Sequence, residues 1–322
     1  MLLFLLATVH SLDFNTWYTL HNKKYQAVEF LRRRAIFAQN ARVVSKHNAL
    51  QSTFKMSLNG PFADMTNEEY LKVNPVLPLP LSEETPKKIG TKRTMKKDQK
   101  NVDWRDAHIV TSVKNQHEFS DCHSCYSFAS VSTLESLYLQ EGFTKYTVDT
   151  LDLSEQQIVD CAKGSLGCKG GGTFALTFNY IKKDGVGLEK DFPYTGIDGE
   201  CTYTKANKVV GISGYTSLEI NEDVLTQTLD EHPVGVCVDA THDSFKLYES
   251  GVYDEPRCRK IIDHCMAAVG YGTTEDGVEY YLIKNSWGTN WGEEGYIRMS
   301  RNKDNQCSIA SASAFPTGLK EY

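Results

Sequence analysis

Apolar side chains recur at helical spacing immediately after residue 125. Phe128, Val131, Leu134 and Leu137 follow one another every three residues, the interval that places side chains on one face of an α-helix. Gly142 follows the last of them and is a residue that commonly ends a helix. The pattern therefore predicts a helix that begins near Cys125.

A different pattern dominates the second half of the chain. Short runs of β-branched and aromatic residues predict β-strands, and these runs are "HPVGVCVDA", "MAAVGYG", "EYYLIKN" and "GYIRMSR". The segment "EDG" at 275–277 predicts a turn between two of them. We expect helices in the first part of the larger segment and strands in its second part.

Near the N-terminus, six residues share one face of a predicted long helix. At 100° per residue they fall within an arc of about 100°, and they are Glu29, Arg33, Phe37, Asn40, Val44 and Asn48. The arrangement predicts a face that packs on a partner surface, although an ordinary amphipathic helix would produce the same spacing.

The segment 77–100, "LPLPLSEETPKKIGTKRTMKKDQK", is rich in Pro, Lys and Thr and lacks apolar periodicity. Such a composition predicts an exposed linker between two units. Residues 1–11, "MLLFLLATVHS", form a short apolar run that ends in small residues, which predicts a cleaved signal peptide. A packed N-terminal helix is the alternative for this run.

Composition and charge narrow the class of protein. The chain has 322 residues, of which 40% are hydrophobic and 24% charged, as in a globular protein with a substantial core. No apolar run approaches the length of a membrane span. The net charge of −6 divides into +8 for residues 1–97 and −14 for residues 98–322, so the two parts should attract each other. The basic residues lie on a helix and in a linker, which argues against a nucleic-acid-binding role.

The segment "DCHSCYSFAS" (121–130) carries the candidate chemistry. Its two cysteines fit a redox dithiol, half of a zinc site, or a nucleophile beside a structural thiol. Zinc would need two further soft ligands at matching spacing, and the other cysteines are scattered singly. A thioredoxin-like dithiol would need a βαβ unit at the motif, where the sequence reads as turns. A catalytic cysteine needs a helix N-terminus, a distant imidazole and an orienting group.

Five motifs favour the nucleophile, because together and in order they resemble the papain-type cysteine proteases. They are "VKNQ…CHSCYSFA", "LSEQQIVDC", "GCKGG", "DHCMAAVGYG" and "YYLIKNSWGTNWGEEGYIRM", and the match runs from Trp104 to Pro316. The resemblance implies an α+β fold of two subdomains, a helical one with the nucleophile and a β-barrel-like one with the imidazole. It implies Cys125 as nucleophile, His264 as general acid and base, and Asn285 as the residue that orients His264. Gln116 would be an oxyanion donor, Trp287 would shield the Asn285–His264 bond, and Trp291 would pack nearby.

The resemblance also assigns the remaining cysteines and the substrate cleft. It pairs Cys122 with Cys168, Cys161 with Cys201, and Cys258 with Cys307, and implies no metal or cofactor. Residues expected to bind substrate are Gly170, Gly171, Gly172, Thr173, Cys237, Asp263, Cys265, Ala312 and Trp287. Within this set, Cys237 and Cys265 would wall the pocket for the second residue before the scissile bond, either as buried thiols or as an extra disulfide. No acidic side chain is expected at the walls, floor or mouth of that pocket, which predicts a preference for hydrophobic residues over arginine.

The helix face at 29–48 resembles the propeptide of cathepsin L-like zymogens, with Val44 in place of the usual isoleucine. "NGPFADMTNEEY" resembles the companion motif, with one extra residue between Asn59 and Phe62. The domains would then be a signal peptide (1–11), an inhibitory propeptide (12–97) and a mature peptidase (98–322). Acid would weaken the +8 to −14 attraction by titrating carboxylates and so release the propeptide.

The sequence departs from the family near the nucleophile. "HEFSD" places five residues between Gln116 and the first motif cysteine where the family has two, and His123 and Tyr126 replace a glycine and a tryptophan. These changes leave two hypotheses: an active cysteine endopeptidase, or a weakened homologue that binds peptides or partners. Endopeptidase is preferred to exopeptidase because no long insertion follows "GCKGG". We expect a monomer that acts on proteins and peptides. We expect it to enter the secretory pathway and to work in a lysosome- or vacuole-like acidic compartment or outside the cell.

Overall fold

The computed structural model describes residues 12–73, the N-terminal segment, and residues 101–322, the C-terminal segment. The expected signal peptide (1–11), the linker (77–100) and the predicted boundary between residues 97 and 98 lie outside the described residues. The described part of the chain is a mixture of helices and one large sheet.

The N-terminal segment is mainly helical. Its elements are α1 (Phe14–Leu20), α2 (Ala27–Asn48), β1 (Phe54–Met56) and α3 (Asn67–Val73). The predicted face of α2 is used for packing: Asn40 donates hydrogen bonds to the carbonyls of Ala63 and Met65 at 2.8 and 2.9 Å. Arg33 lies against Glu29 and Glu69 on the same side. The prediction of a packed face is confirmed.

Helices come first in the C-terminal segment and strands later, as the residue pattern predicts. After β2 (Val102–Asp103), its helices are α4 (Cys125–Gln140), α5 (Glu155–Cys161), α6 (Phe174–Asp184), α7 (Glu222–Leu229) and α8 (Asp243–Lys246). Its remaining strands are β3 (Val210–Ser217), β4 (Val234–Val238), β5 (Tyr248–Tyr253), β6 (His264–Thr273), β7 (Glu279–Lys284), β8 (Tyr296–Ser300) and β9 (Ser313–Glu321). Gly142, with a φ of +78°, follows the end of α4.

The strands form a sheet in the order β1-β5-β8-β7-β6-β4-β9-β3, with β2 paired to β6. The N-terminal segment supplies the edge strand β1, in which Phe54 lies opposite Gly251 of β5. Thr53 also donates to the Val252 carbonyl at 2.7 Å. This pairing uses backbone amide and carbonyl groups and therefore depends little on side-chain identity. It docks the N-terminal segment on the C-terminal one.

Both segments contribute to one hydrophobic core. Trp17, Phe62 and Tyr70 of the N-terminal segment are buried in the same cluster as Phe245 and Trp287 of the C-terminal segment. A second cluster lies between α4, α6 and the strands β3, β4 and β6. Cys125 packs against this second cluster, which therefore forms part of its surroundings.

Candidate active site

Cys125 is the first residue of α4 and the one cysteine of the chain that is not in a disulfide. The N-terminus of a helix carries a partial positive charge, which stabilises a thiolate relative to a thiol. The other eight cysteines pair as Cys122–Cys168, Cys161–Cys201, Cys237–Cys265 and Cys258–Cys307. The fourth pair, Cys237–Cys265, is therefore a disulfide rather than two buried thiols.

His264 and Asn285 meet because β6 and β7 are neighbours. His264 begins β6, and Asn285 directly follows β7. His264 Nε2 donates to Asn285 Oδ1 at 2.7 Å, and the same oxygen accepts from the Ser286 amide at 2.8 Å. This bond leaves His264 Nδ1 as the ring nitrogen that is free to exchange a proton with another group.

The His264–Asn285 hydrogen bond lies beneath tryptophan. The Trp287 ring lies 4.7 Å from the His264 ring at an interplanar angle of 32°, and Trp291 lies 5.0 Å from Trp287 at 78°. All four side chains are buried. A hydrogen bond shielded from water holds an imidazole in a defined orientation, because water does not compete for its partners.

Gln116 stays beside Cys122 and Ser286 despite the insertion that follows it. Its Oε1 accepts from the Ser286 hydroxyl at 2.8 Å, and its Nε2 donates to the Cys122 carbonyl at 3.3 Å. Its backbone amide donates to the Ser286 carbonyl at 2.8 Å. In the insertion, Glu118 and Phe119 are exposed. The extra residues therefore bulge outward and leave Gln116 buried.

The residues predicted to form a substrate pocket lie on one side of Cys125. Cys237 and Cys265 face each other on β4 and β6, and Cys125 and Ala312 pack as partly exposed residues against the same cluster. The Cys237 amide donates to the Ala312 carbonyl at 3.0 Å. The disulfide thus forms part of an apolar wall beside Cys125.

The glycine-rich stretch and Asp263 have structural contacts of their own. Gly170 and Gly171 have φ values of +77° and +100°, and a Cβ at Gly172 would overlap the Tyr126 ring. Thr173 caps α6 by accepting from the Leu176 amide at 3.2 Å. Asp263 is buried and accepts from the Ala240 amide at 2.7 Å, and burial raises its pKa to about 8.

The N-terminal segment covers the other side of the candidate site. The Phe62 ring lies 4.8 Å from the Trp287 ring, edge to face, and Tyr70 lies 6.1 Å from it. The Tyr70 hydroxyl donates to the Ala240 carbonyl at 2.8 Å, and Lys246 Nζ donates to the Met65 carbonyl at 2.8 Å. These contacts hold the segment against the site by one aromatic cluster and two cross-segment hydrogen bonds.

Burial under the N-terminal segment favours uncharged forms of the candidate nucleophile and base. Desolvation raises the pKa of the Cys125 thiol to about 11 and lowers the pKa of His264 to about 4. His264 Nδ1 has no hydrogen-bond partner among the described residues. In this closed form the thiol and the imidazole therefore remain neutral and unlinked, which is the state expected of an inactive precursor.

One group of described side chains has the spacing of a cation site. The ligand atoms of Asp239, His242 and Cys258 lie within 4.8 Å of one another. Cys258 is bonded to Cys307, however, so its sulfur is not available as a thiolate. Only two ligands remain, and the group carries no metal assignment.

The site combines a lone thiol at a helix N-terminus, a histidine held by an asparagine, and a buried glutamine amide. An N-terminal helical segment covers it. These features together define the class of cysteine peptidase precursors. Comparison with protein families agrees. Residues 99–317 match the papain family of cysteine proteases, and residues 14–70 match the cathepsin propeptide inhibitor domain. The chain belongs to the papain family, and it is a cysteine endopeptidase with an N-terminal propeptide that inhibits it intramolecularly.

Relatives match this chain over nearly its whole length. The chain is 40% identical over 319 residues to cysteine proteinase 1 of Entamoeba histolytica, covering 97% of this chain and 96% of the relative. It is 36% identical over 319 residues to procathepsin L of Mus musculus, covering 95% and 92%. Its structure is similar to that of a digestive procathepsin L from the Tenebrio molitor larval midgut, with a TM-score of 0.83, 32% identity and coverage of 94% and 97%. Within the described residues, no helix is both long and apolar enough to span a membrane.

Residue patterns alone did not single out His117 or Tyr70 as parts of the site. The ring of His117 lies 5.1 Å from Phe62 and 6.4 Å from Trp287. One feature of the sequence could have drawn attention to His117. It directly follows Gln116, in the stretch "HEFSD" where this chain departs from the family motif. Its contact with Phe62 joins positions 55 apart in sequence, which no local pattern predicts.

Proposed function

We propose that the matured protein cleaves peptide bonds with a Cys125 thiolate and a His264 imidazolium. When the propeptide leaves, water returns to the site and the desolvation that favours the neutral pair is removed. The thiol proton then passes to His264 Nδ1, the nitrogen that the bond to Asn285 leaves free. The observation that carries this proposal is one unpaired cysteine at a helix N-terminus in a site with an asparagine-held histidine.

The reaction would proceed through an acyl-enzyme. The Cys125 sulfur attacks the carbonyl carbon of the scissile bond, and the resulting oxyanion accepts hydrogen bonds from the Cys125 amide and Gln116 Nε2. His264 then donates its proton to the leaving amine, and a thioester remains on Cys125. Water, deprotonated by His264, attacks the thioester and restores the thiol.

The apolar wall beside Cys125 supports a preference for a hydrophobic side chain at the second position before the scissile bond. Cys237, Cys265 and Ala312 offer no charge to a bound arginine, and a cation buried without a partner is costly. The proposal includes a monomeric enzyme that matures in an acidic compartment of the secretory pathway or outside the cell.

Fluorogenic peptides test this function. Matched substrates that differ only in Leu or Arg at the second position are offered to the matured protein and to the Cys125→Ser variant. We expect turnover that favours Leu and disappears with Cys125→Ser. Equal turnover of both proteins would contradict the nucleophile, and a preference for Arg would contradict the pocket while leaving the nucleophile intact.

A further inference from the structure

His117 lies at the contact between the propeptide and the peptidase. Its ring meets the Phe62 ring of the propeptide edge to face at 5.1 Å and lies 6.4 Å from Trp287. Part of the residue remains exposed, but both ring nitrogens are buried and have no hydrogen-bond partner among the described residues. A buried imidazole without a partner tolerates the neutral form far better than the charged form.

The groups that face His117 also oppose a positive charge on it. Besides desolvation, which is the largest effect, the pKa of His117 is lowered by His264, by His123 and by Lys23 of the propeptide, and it falls to about 3. The carboxylate of Asp121 lies near His123 and Lys23 and acts on their pKa values, but not detectably on that of His117. On the propeptide side, Asp64 is near Lys23 and accepts a hydrogen bond from Tyr25 at 2.6 Å.

Among the described residues, no ion pair joins the propeptide to the peptidase in place of this contact. Every ion pair among residues 12–73 and 101–322 lies within one of the two segments. Titration of a carboxylate in an ion pair therefore does not break a described bridge between them. His117 is neutral between the closed segments, and it takes a proton in mildly acidic solution once its ring nitrogens reach water.

We propose that His117 is a pH-operated latch for the propeptide: the neutral ring packs beneath Phe62 and keeps the zymogen closed, and the protonated ring opens it. His123 lies at the same contact, with its ring against the backbone of Lys72 in the propeptide. Burial is the largest effect on it and lowers its pKa, and this outweighs the contacts with the Lys169 and Lys72 backbones and the charge of Asp121, which raise the pKa. Acid thereby turns the contact that seals the zymogen into one that destabilises it.

The size of the effect follows from linkage. The pKa of His117 is about 3 in the closed zymogen and returns toward 6.5 when the ring nitrogens reach water. The closed form therefore has its full stability above pH 6.5 and loses it as the pH falls below 6.5. Between pH 7.5 and pH 4.5, the ratio of closed to open zymogen should fall roughly 100-fold through this one group.

Hydrogen exchange of the full-length chain tests the latch. A Cys125→Ser background prevents self-cleavage, so the test does not depend on the proposed catalytic chemistry. Protection of the backbone amides of residues 62–70, corrected for intrinsic exchange, is measured at pH 7.5 and pH 4.5. We expect the loss of protection between these two pH values to be roughly 100-fold smaller when His117→Phe is added, because phenylalanine keeps the ring but takes no proton.

Two further variants make the result unambiguous. His117→Gln, which is smaller and also does not take a proton at these pH values, should show the same reduced pH dependence. His108→Asn changes an exposed histidine away from Phe62 and should keep the full pH dependence. Because each variant is compared with itself at two pH values, a general change in stability does not hide the effect. Equal losses of protection with and without His117 would overturn the latch.

Discussion

Gln116 shows how a single side chain can keep its place while its neighbours change. Five residues separate it from Cys122 where the family has two, yet Ser286 binds both its backbone and its side chain. Ser286 directly follows Asn285, so the Gln116 amide and the hydrogen-bond partner of His264 are positioned by the same stretch of chain.

At this scale we predict the effect of Gln116→Ala on the matured enzyme. Loss of one oxyanion donor should lower kcat by on the order of 10²–10³ and leave KM nearly unchanged, because the donor acts on charge that develops only in the transition state. Steady-state kinetics with a fluorogenic peptide measures both constants. Glu118→Ala, in the exposed insertion, is the matched control and should retain activity. A loss below threefold for Gln116→Ala would remove the amide from the oxyanion site.

Among the elements, α4 is tied to its surroundings by buried charges. Glu135 of α4 accepts from the Thr111 hydroxyl at 2.6 Å, and Lys114 Nζ lies 2.9 Å from Glu155 of α5 and 3.4 Å from Glu135. Lys284, at the end of β7, donates to the same Thr111 hydroxyl at 3.1 Å, and burial lowers its pKa to about 8. The network connects the helix of Cys125 to the strand that precedes Asn285.

Replacing Lys114 by Met should lower the free energy of unfolding by about 3–5 kcal/mol, because Glu135 and Glu155 would then be buried without their cation. Urea denaturation of the Cys125→Ser protein measures the change. Lys163→Met, at an exposed position, should alter it by less than about 0.5 kcal/mol. Equal costs for the two substitutions would show that the network does not stabilise the fold.

The whole molecule is a peptidase whose propeptide is docked by an edge strand, an aromatic cluster and hydrogen bonds. The net charges of +8 and −14 suggested that attraction between the two parts holds them together. The described contacts are instead largely apolar or backbone-mediated, as with β1 on β5 and Phe62 on Trp287.

This difference leads to a prediction for maturation. Raising the salt concentration to about 0.5 M at pH 7.5 screens charge attraction beyond a few ångströms but does not protonate His117. We therefore expect the full-length zymogen to stay unprocessed in salt and to mature at pH 4.5, as followed by gel mobility over time. Maturation in salt at the rate seen in acid would instead support attraction between the two charged parts as the main contact.

Sequence patterns predicted several helices and strands and the candidate catalytic residues, but not the contacts between distant parts of the chain. The helical spacing after Cys125 and the packed face of α2 were confirmed, because each depends on residues within a few turns. Strands β3 and β9 were not among the predicted runs, since Gly211 and Gly214 interrupt one and Pro316 and Gly318 the other. Their stability comes from pairing with each other across the chain.

In the candidate site, too, the residues could be identified from the sequence but several of their contacts could not. Cys125, His264 and Asn285 were identified through motifs that resemble a family, and the structure brings His264 and Asn285 into hydrogen-bond contact. The pairing of Cys237 with Cys265 stayed open until the register of β4 and β6 placed them opposite each other. The role of His117 depends on Phe62, whose position is set only when the two segments dock.

Alkylation of the matured protein by iodoacetamide across pH 4–10 tests the central claim most directly, with mass spectrometry locating the label on Cys125. If a thiolate is already paired with protonated His264, the reaction should be fast and nearly constant from about pH 5 to pH 8, and His264→Ala should abolish this plateau. A rate that is negligible at pH 6 and half-maximal near pH 8.5, the value of an ordinary thiol, would contradict the ion pair.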